Sequence, residues 1–99
     1  MKKAESILDR RVVIAENAFV EMRLWRVPEP VMGSARRLKY SLAYAVDGIC
    51  VLRCDNERGK GDHRHIGERE ETVGFSSVEK LIADFLADVR RWNDENRDS

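Results

Sequence analysis

No apolar run in this 99-residue chain approaches the length needed to cross a bilayer. Met1-Lys2-Lys3 resembles the start of a secretion signal, but Glu5, Asp9, Arg10 and Arg11 interrupt any hydrophobic segment behind it. The expectation is a cytoplasmic protein with no membrane contact. Cysteine is scarce, with only Cys50 and Cys54. On one regular strand they would stand about 13 Å apart at roughly 3.3 Å per residue, beyond disulfide reach. Both would point to the same face, as buried free thiols in a reducing compartment. Net charge is absent too: 18 basic residues balance 18 acidic ones, so bulk electrostatics do not predict nucleic-acid binding. Histidine is confined to His63 and His65, with no third imidazole to complete a metal site. Internal repeats and low-complexity tracts are missing.

What remains suits one domain over residues 1–99, with a thin core and a busy surface: 42% of the residues are hydrophobic and 36% charged. The charge is unevenly spread. Residues 33–66 carry seven basic and four acidic side chains, whereas residues 67–99 carry five and nine. A cationic middle beside an acidic C-terminal part is compatible with an anionic substrate.

Periodicity sets the expected elements. β-Branched residues 11–15 predict a strand, Glu16-Asn17-Ala18 a turn in which Asn17 tolerates positive φ, and residues 19–27 a second strand that Pro28 and Pro30 end. Residues 37–46 alternate most clearly, with Leu38, Tyr40, Leu42, Tyr44 and Val46 on one side. Asp47-Gly48 then signals a type I′ hairpin, and residues 49–55 return. A regular ladder would pair Val46 with Ile49, Tyr44 with Val51, Leu42 with Arg53 and Tyr40 with Asp55. Ala43, Ala45, Cys50, Leu52 and Cys54 would share the opposite face, small enough for close approach of a helix. Residues 70–75 suggest a short edge strand. Ser76-Ser77-Val78-Glu79 has the form of a capping box, with Ser76 as the cap and Glu79 reaching back. Val78, Leu81, Ile82, Phe85, Leu86, Val89 and Trp92 form an apolar helical stripe, and the polar residues 93–99 are expected to fray. The expected fold is α+β: an antiparallel meander of four to five strands with the C-terminal amphipathic helix packed on one face. That arrangement leaves Leu38, Tyr40, Leu42, Tyr44, Ile49 and Val51 uncovered, a patch for a second copy or another partner.

The chemistry concentrates in Arg53-Cys54-Asp55-Asn56-Glu57-Arg58-Gly59-Lys60-Gly61-Asp62-His63-Arg64-His65, the end of a strand running into a loop. Three readings compete with a plain solvated loop. His63 and His65 with Asp55 or Asp62 form part of a metal site, short of ligands. Metal-free cleavage of RNA needs a base for the 2′-hydroxyl, an acid for the leaving oxygen and cations for the phosphorane charge. His63 and His65 suit the first two roles, and Lys60, Arg64, Arg53 and Arg58 are candidates for the third. Gly59 and Gly61 would let backbone N–H groups approach a phosphate, with Asp55, Asn56 and Asp62 lining the same site. The last reading is non-catalytic binding of RNA or protein by the same groups; spacing does not separate it from cleavage. Trp25, Trp92, Arg36, Arg37 and Lys39 have plain structural readings as packing aromatics and a solvated strand face.

That thirteen-residue run, with Tyr40-Ser41-Leu42-Ala43-Tyr44, Trp25-Arg26-Val27-Pro28-Glu29-Pro30 and Leu81-Ile82-Ala83-Asp84-Phe85, resembles the TumE-type toxin family. Cys54 departs from the family pattern, in which an aromatic is more usual, and this bears on local packing. The resemblance implies a toxin of a bacterial toxin–antitoxin pair, whose partner is a helix-turn-helix antitoxin. The leading expectation is a toxin acting on an RNA substrate as a small metal-independent ribonuclease without a cofactor. The alternative is a non-enzymatic module that binds RNA or its antitoxin. A homodimer fits the uncovered apolar patch.

Overall fold

The structure, a computed structural model, describes residues 3–30, 36–56 and 61–96. Among these residues six strands follow one another in sequence and in space: β1 (Glu5–Ala15), β2 (Ala18–Arg26), β3 (Leu38–Val46), β4 (Ile49–Asp55), β5 (His63–Ile66) and β6 (Arg69–Thr72). Each pairs antiparallel with the next. One helix, α1 (Val78–Glu95), closes the chain. The α+β meander with a C-terminal helix on one face is as expected, with six strands in place of four or five.

The Asp47-Gly48 turn has positive φ at both positions (53° and 78°) and pairs Val46 with Ile49, as the type I′ signal predicts. Beyond it the expected register fails. Ala45 faces Cys50, but Tyr44 faces Leu52, Ala43 faces Arg53 and Leu42 faces Cys54. Val51 is therefore an extra residue, a β-bulge, and its carbonyl accepts a hydrogen bond from Gly67 N–H at 3.2 Å. The physical reason lies in what each register buries. A regular ladder would set Arg53 and Asp55 beside Leu42 and Tyr40, placing two charges in the core at high desolvation cost. The bulge instead brings Leu52 and Cys54 to that face.

The covered face is consequently the one expected to lie open. Tyr40, Leu42, Tyr44, Val20 and Leu24 are essentially fully buried, and Leu81, Phe85 and Val89 of α1 pack over them. Each such side chain stabilises the fold by roughly 1.5–3 kcal/mol. The apolar patch assigned to a partner is thus mostly the protein's own core. The two thiols also part company: both are free, Cys54 buried and Cys50 exposed. Between β1 and β2, Asn17 does not take positive φ; its side-chain amide donates to Asp47 Oδ1 and its carbonyl accepts from Asp47 N–H, both at 2.8 Å.

α1 begins one residue later than the sequence suggests. Ser77, not Ser76, is the cap; its hydroxyl accepts from Lys80 N–H at 3.1 Å. Lys80 occupies the position from which a carboxylate would reach back, so Glu79 contributes only its charge at the helix N-terminus. The helix also outlasts expectation. Residues 93–95 remain helical, Asn93 Oδ1 accepts from the Tyr44 hydroxyl at 2.6 Å, and Asn96 closes the end on the Trp92 carbonyl. Residues 97–99 of the expected frayed tail lie outside the described residues. No helix among the described residues is long and apolar enough to cross a membrane.

Candidate functional site

Both histidines lie on a strand, β5, where a loop was expected. Gly61 takes φ +84°, a conformation that side-chain-bearing residues rarely adopt, and turns the chain into β5. Gly67, at φ +60° in the first position of a two-residue loop, turns it back into β6. β5 aligns His63 with Asp55 and His65 with Arg53 on β4, and pairs them with Thr72 and Glu70 on β6.

Since side chains alternate along a strand, His63 and His65 lie on the sheet face away from α1, with Arg53 and Asp55. Two rows of residues cross that face. One runs Asp9, Arg23, Ser41, Asp55, His63, Thr72; the other runs Arg11, Glu21, Ala43, Arg53, His65, Glu70. Ser41 lies opposite Asp55 and Ala43 opposite Arg53 in these rows, and the Arg53–Asp55 pair has an Nε–Oδ2 distance of 3.1 Å. Asp55 is buried, while the Arg53 side chain is 40% exposed.

The two imidazoles have different surroundings. His63 is enclosed, its side chain 13% exposed, with Nδ1 3.4 Å from the Gly61 carbonyl and Nε2 3.6 Å from Glu70 Oε1. His65 Nε2 is buried and has no hydrogen-bond partner among the described residues. Buried polar atoms are nearly always paired, and an exception at a candidate site calls for an explanation. A pocket of about 200 Å³ opens beside it, lined by Cys50, Val51, Leu52, Arg53, His65 and Gly67. It lies at the Val51 bulge, a common association of bulges with sites.

Other candidates have structural partners. Asn56 is fully buried; its Oδ1 accepts from Tyr40 N–H at 3.0 Å and its Nδ2 donates to the Leu38 carbonyl at 2.7 Å, fastening β4 to β3. Asp62 accepts from the Tyr40 hydroxyl and from Arg36 Nη2, each at 2.5 Å. The Arg36 guanidinium also lies 4.0 Å over the Phe75 ring. Burial, then the Asp62 hydrogen bond, pushes the Tyr40 phenol far above its usual range. Arg64 points to the helix side, donating to Glu71 at 2.6 Å and to Asp88 at 3.1 Å. The hydrogen bond to Glu71, foremost, raises the Arg64 pKa and lowers that of Glu71. The structure therefore joins His63, His65, Arg53 and Asp55 and separates Arg64 from them. Arg58, Gly59 and Lys60 lie outside the described residues. Among the described residues no group of three or more His, Cys, Asp or Glu side chains is placed to hold a metal ion.

Glu70, Ser41 and Ala43 are not among the site candidates that the sequence offers. The signal that could have found Glu70 is the glycine at position 67: a two-residue turn there returns the chain so that Glu70 lies opposite His65, within reach of His63.

The family model described as Toxin TumE matches residues 2–93, most of the chain. No curated protein and no solved structure matches. The chain belongs to the TumE toxin family.

Proposed function

From that membership, which makes the chain the toxin of a toxin–antitoxin pair and implies an antitoxin partner, we propose that it acts on RNA as a metal-independent ribonuclease in the cytoplasm, restrained by a helix-turn-helix antitoxin. The observation carrying this reading is the placement of both imidazoles at alternate positions of β5, on the open sheet face beside Arg53. At roughly 3.3 Å per residue their attachment points stand about 6.6 Å apart, a separation that brackets one phosphate.

The roles follow from the partners. His65, whose Nε2 has no hydrogen-bond partner among the described residues, serves as the base that removes the 2′-hydroxyl proton. The 2′-oxygen attacks phosphorus, the bond to the 5′-oxygen breaks, and His63 delivers a proton to that oxygen, leaving a 2′,3′-cyclic phosphate and a 5′-hydroxyl. An imidazolium at His63 has an acceptor near each nitrogen, the Gly61 carbonyl and Glu70. Arg53 meets the charge that develops on the phosphorane oxygens, with Asp55 as its positioning residue. Gly61, at positive φ, offers a backbone approach, and Arg58, Gly59 and Lys60, outside the described residues, are further candidates by residue type alone. The test is cleavage of purified RNA in EDTA, expected for the wild type and lost in His63→Ala and in His65→Ala.

One observation favours a second reading, a non-enzymatic module that binds RNA or the antitoxin. His63 is enclosed and Arg64 faces the helix, so fewer groups converge on the open face than the sequence offers. Wild-type protein that binds RNA without cleaving it would establish that reading.

A further inference from the structure

β1 has features that the proposed site does not use. It is an edge strand of 11 residues, and all but the half-buried Leu8 are exposed. Of the five exposed large hydrophobic residues among the described residues, four lie on it: Ile7, Val12, Val13 and Ile14. An edge of this length offers a row of backbone groups to any strand that can align with it.

The sequence of the edge says which strand aligns. Between irregularities at Ile7 and Ile14, residues 8–13 alternate regularly: Asp9, Arg11 and Val13 on the open face, Leu8, Arg10 and Val12 on the helix side. When two copies pair antiparallel into one continuous sheet, directly opposed residues must share a face. The two-fold axis must then pass through a residue. Centred on Asp9, the register opposes two aspartates; centred on Arg11, it leaves Asp9 against Val13, with no opposite-charge pair to offset the two opposed arginines; centred on Leu8 or Val12, it forms no opposite-charge pair within residues 8–13. Centred on Arg10, it sets Asp9 against Arg11 of the second copy, twice, and Leu8 against Val12, twice.

The Arg10-centred register also extends patterns already present. Within one chain, Arg11 lies opposite Glu21 at 2.7 Å and Asp9 opposite Arg23 at 3.5 Å. Pairing Arg11 with the second copy's Asp9 continues the row as Glu21, Arg11, Asp9, Arg23, with signs alternating throughout. On the helix side, Leu24 and Leu8 continue into the other copy's Val12 and Val20, prolonging the apolar row. The charges that keep a bare edge from pairing at random are here self-complementary in one register. We infer that β1 is the docking edge for a second copy of this chain, paired antiparallel about Arg10. The one unfavourable contact is Arg10 against its own copy, exposed at the two-fold axis.

The inference is independent of the ribonuclease reading. Its test is sedimentation of the full chain over a concentration series, with thiol cross-linking in a Cys50→Ser background. The expected results are a concentration-dependent dimer and rapid disulfide formation by Arg10→Cys alone, since opposed residues stand about 4.5–5.5 Å apart. Asp9→Cys and Arg11→Cys should cross-link with each other and not with themselves. Asp9→Lys should weaken the dimer by about tenfold or more, through loss of two symmetric cross-strand pairs. A monomer at every concentration overturns the inference, as does a dimer in which Arg10→Cys cross-links no faster than Asp9→Cys. Protection of β1 amides that appears only on adding the antitoxin assigns the edge to that partner and overturns it too.

Discussion

The Tyr40 hydroxyl donates to Asp62 at 2.5 Å, so the central strand of the core holds the residue immediately before His63. Both partners are buried, and the bond links the hydrophobic core to the candidate site. Tyr40→Phe removes a hydrogen bond to a charged acceptor and should lower stability by about 1.5–3 kcal/mol, measured by urea denaturation. Arg36 remains on Asp62, so the fold should persist while RNA cleavage falls. Tyr44→Phe, which removes the bond to Asn93 at the far end of the helix, is the control: it should reduce stability and leave the activity of the folded fraction unchanged.

Arg64 joins β5 to α1 through Asp88, which is 8% exposed. Removing Arg64 leaves a buried carboxylate with the longer 3.6 Å contact to Arg91. Arg64→Ala should therefore destabilise by roughly 2–4 kcal/mol, while cleavage by the fraction that remains folded persists. The double change Arg64→Met with Asp88→Leu removes both charges and should recover most of the stability. Denaturation midpoints of the three proteins check this.

Burial, foremost, pushes the Cys54 thiol up to about 12 from an ordinary 9.0. In the unfolded chain that thiol ionises first, so between these values the folded state holds more protons. Stability from this source is complete below pH 9 and is lost as pH rises toward 12. Tyr40, raised for the same leading reason, acts in the same direction at higher pH. Urea midpoints should fall from pH 8 to pH 10.5, with a shallower slope in Cys54→Ala. A thiol reagent at pH 8 should label exposed Cys50 quickly and Cys54 only in denaturant.

Elements with strong local signals were legible in the sequence. The Asp47-Gly48 turn needs positive φ and specifies it chemically, and the stripe from Val78 to Trp92 has one helical face to bury. The Val51 bulge was not legible, because one extra residue inside a seven-residue strand leaves no mark on periodicity. Its cause is the three-dimensional cost of burying Arg53 and Asp55, and missing it inverted the assignment of faces. β1 began six residues earlier than expected: an edge exposed on both sides has no apolar alternation, and pairing with β2 alone defines it. The His63–Ile66 strand was hidden for a similar reason, since a charged segment becomes a strand only through its neighbours on either side. The site residues themselves were visible as chemistry. Which of them share a face was not, and Glu70 came into view only with the Gly67 turn.

Asp55 should act through Arg53. Asp55→Asn keeps the shape but removes the charge that holds the guanidinium at 3.1 Å. Cleavage should drop by about tenfold to a hundredfold in kcat, within the range for a lost positioning or electrostatic contact, with a small change in KM. Arg53→Lys should not restore the rate, because an ammonium lacks the planar fork that grips a carboxylate and a phosphate together. Steady-state kinetics on a short RNA provide the check.

The most direct test of the central claim is the pH dependence of RNA cleavage in EDTA for the wild type, His63→Ala and His65→Ala. If the two imidazoles are acid and base, the wild type gives a bell-shaped profile, because one must be charged and the other neutral. His65→Ala should abolish the limb on the acid side and His63→Ala the limb on the alkaline side. Each should lose most of the rate, about a hundredfold or more, with denaturation midpoints close to wild type. Cleavage that keeps its full rate and both limbs in the two variants would contradict the account and move the chemistry off β5.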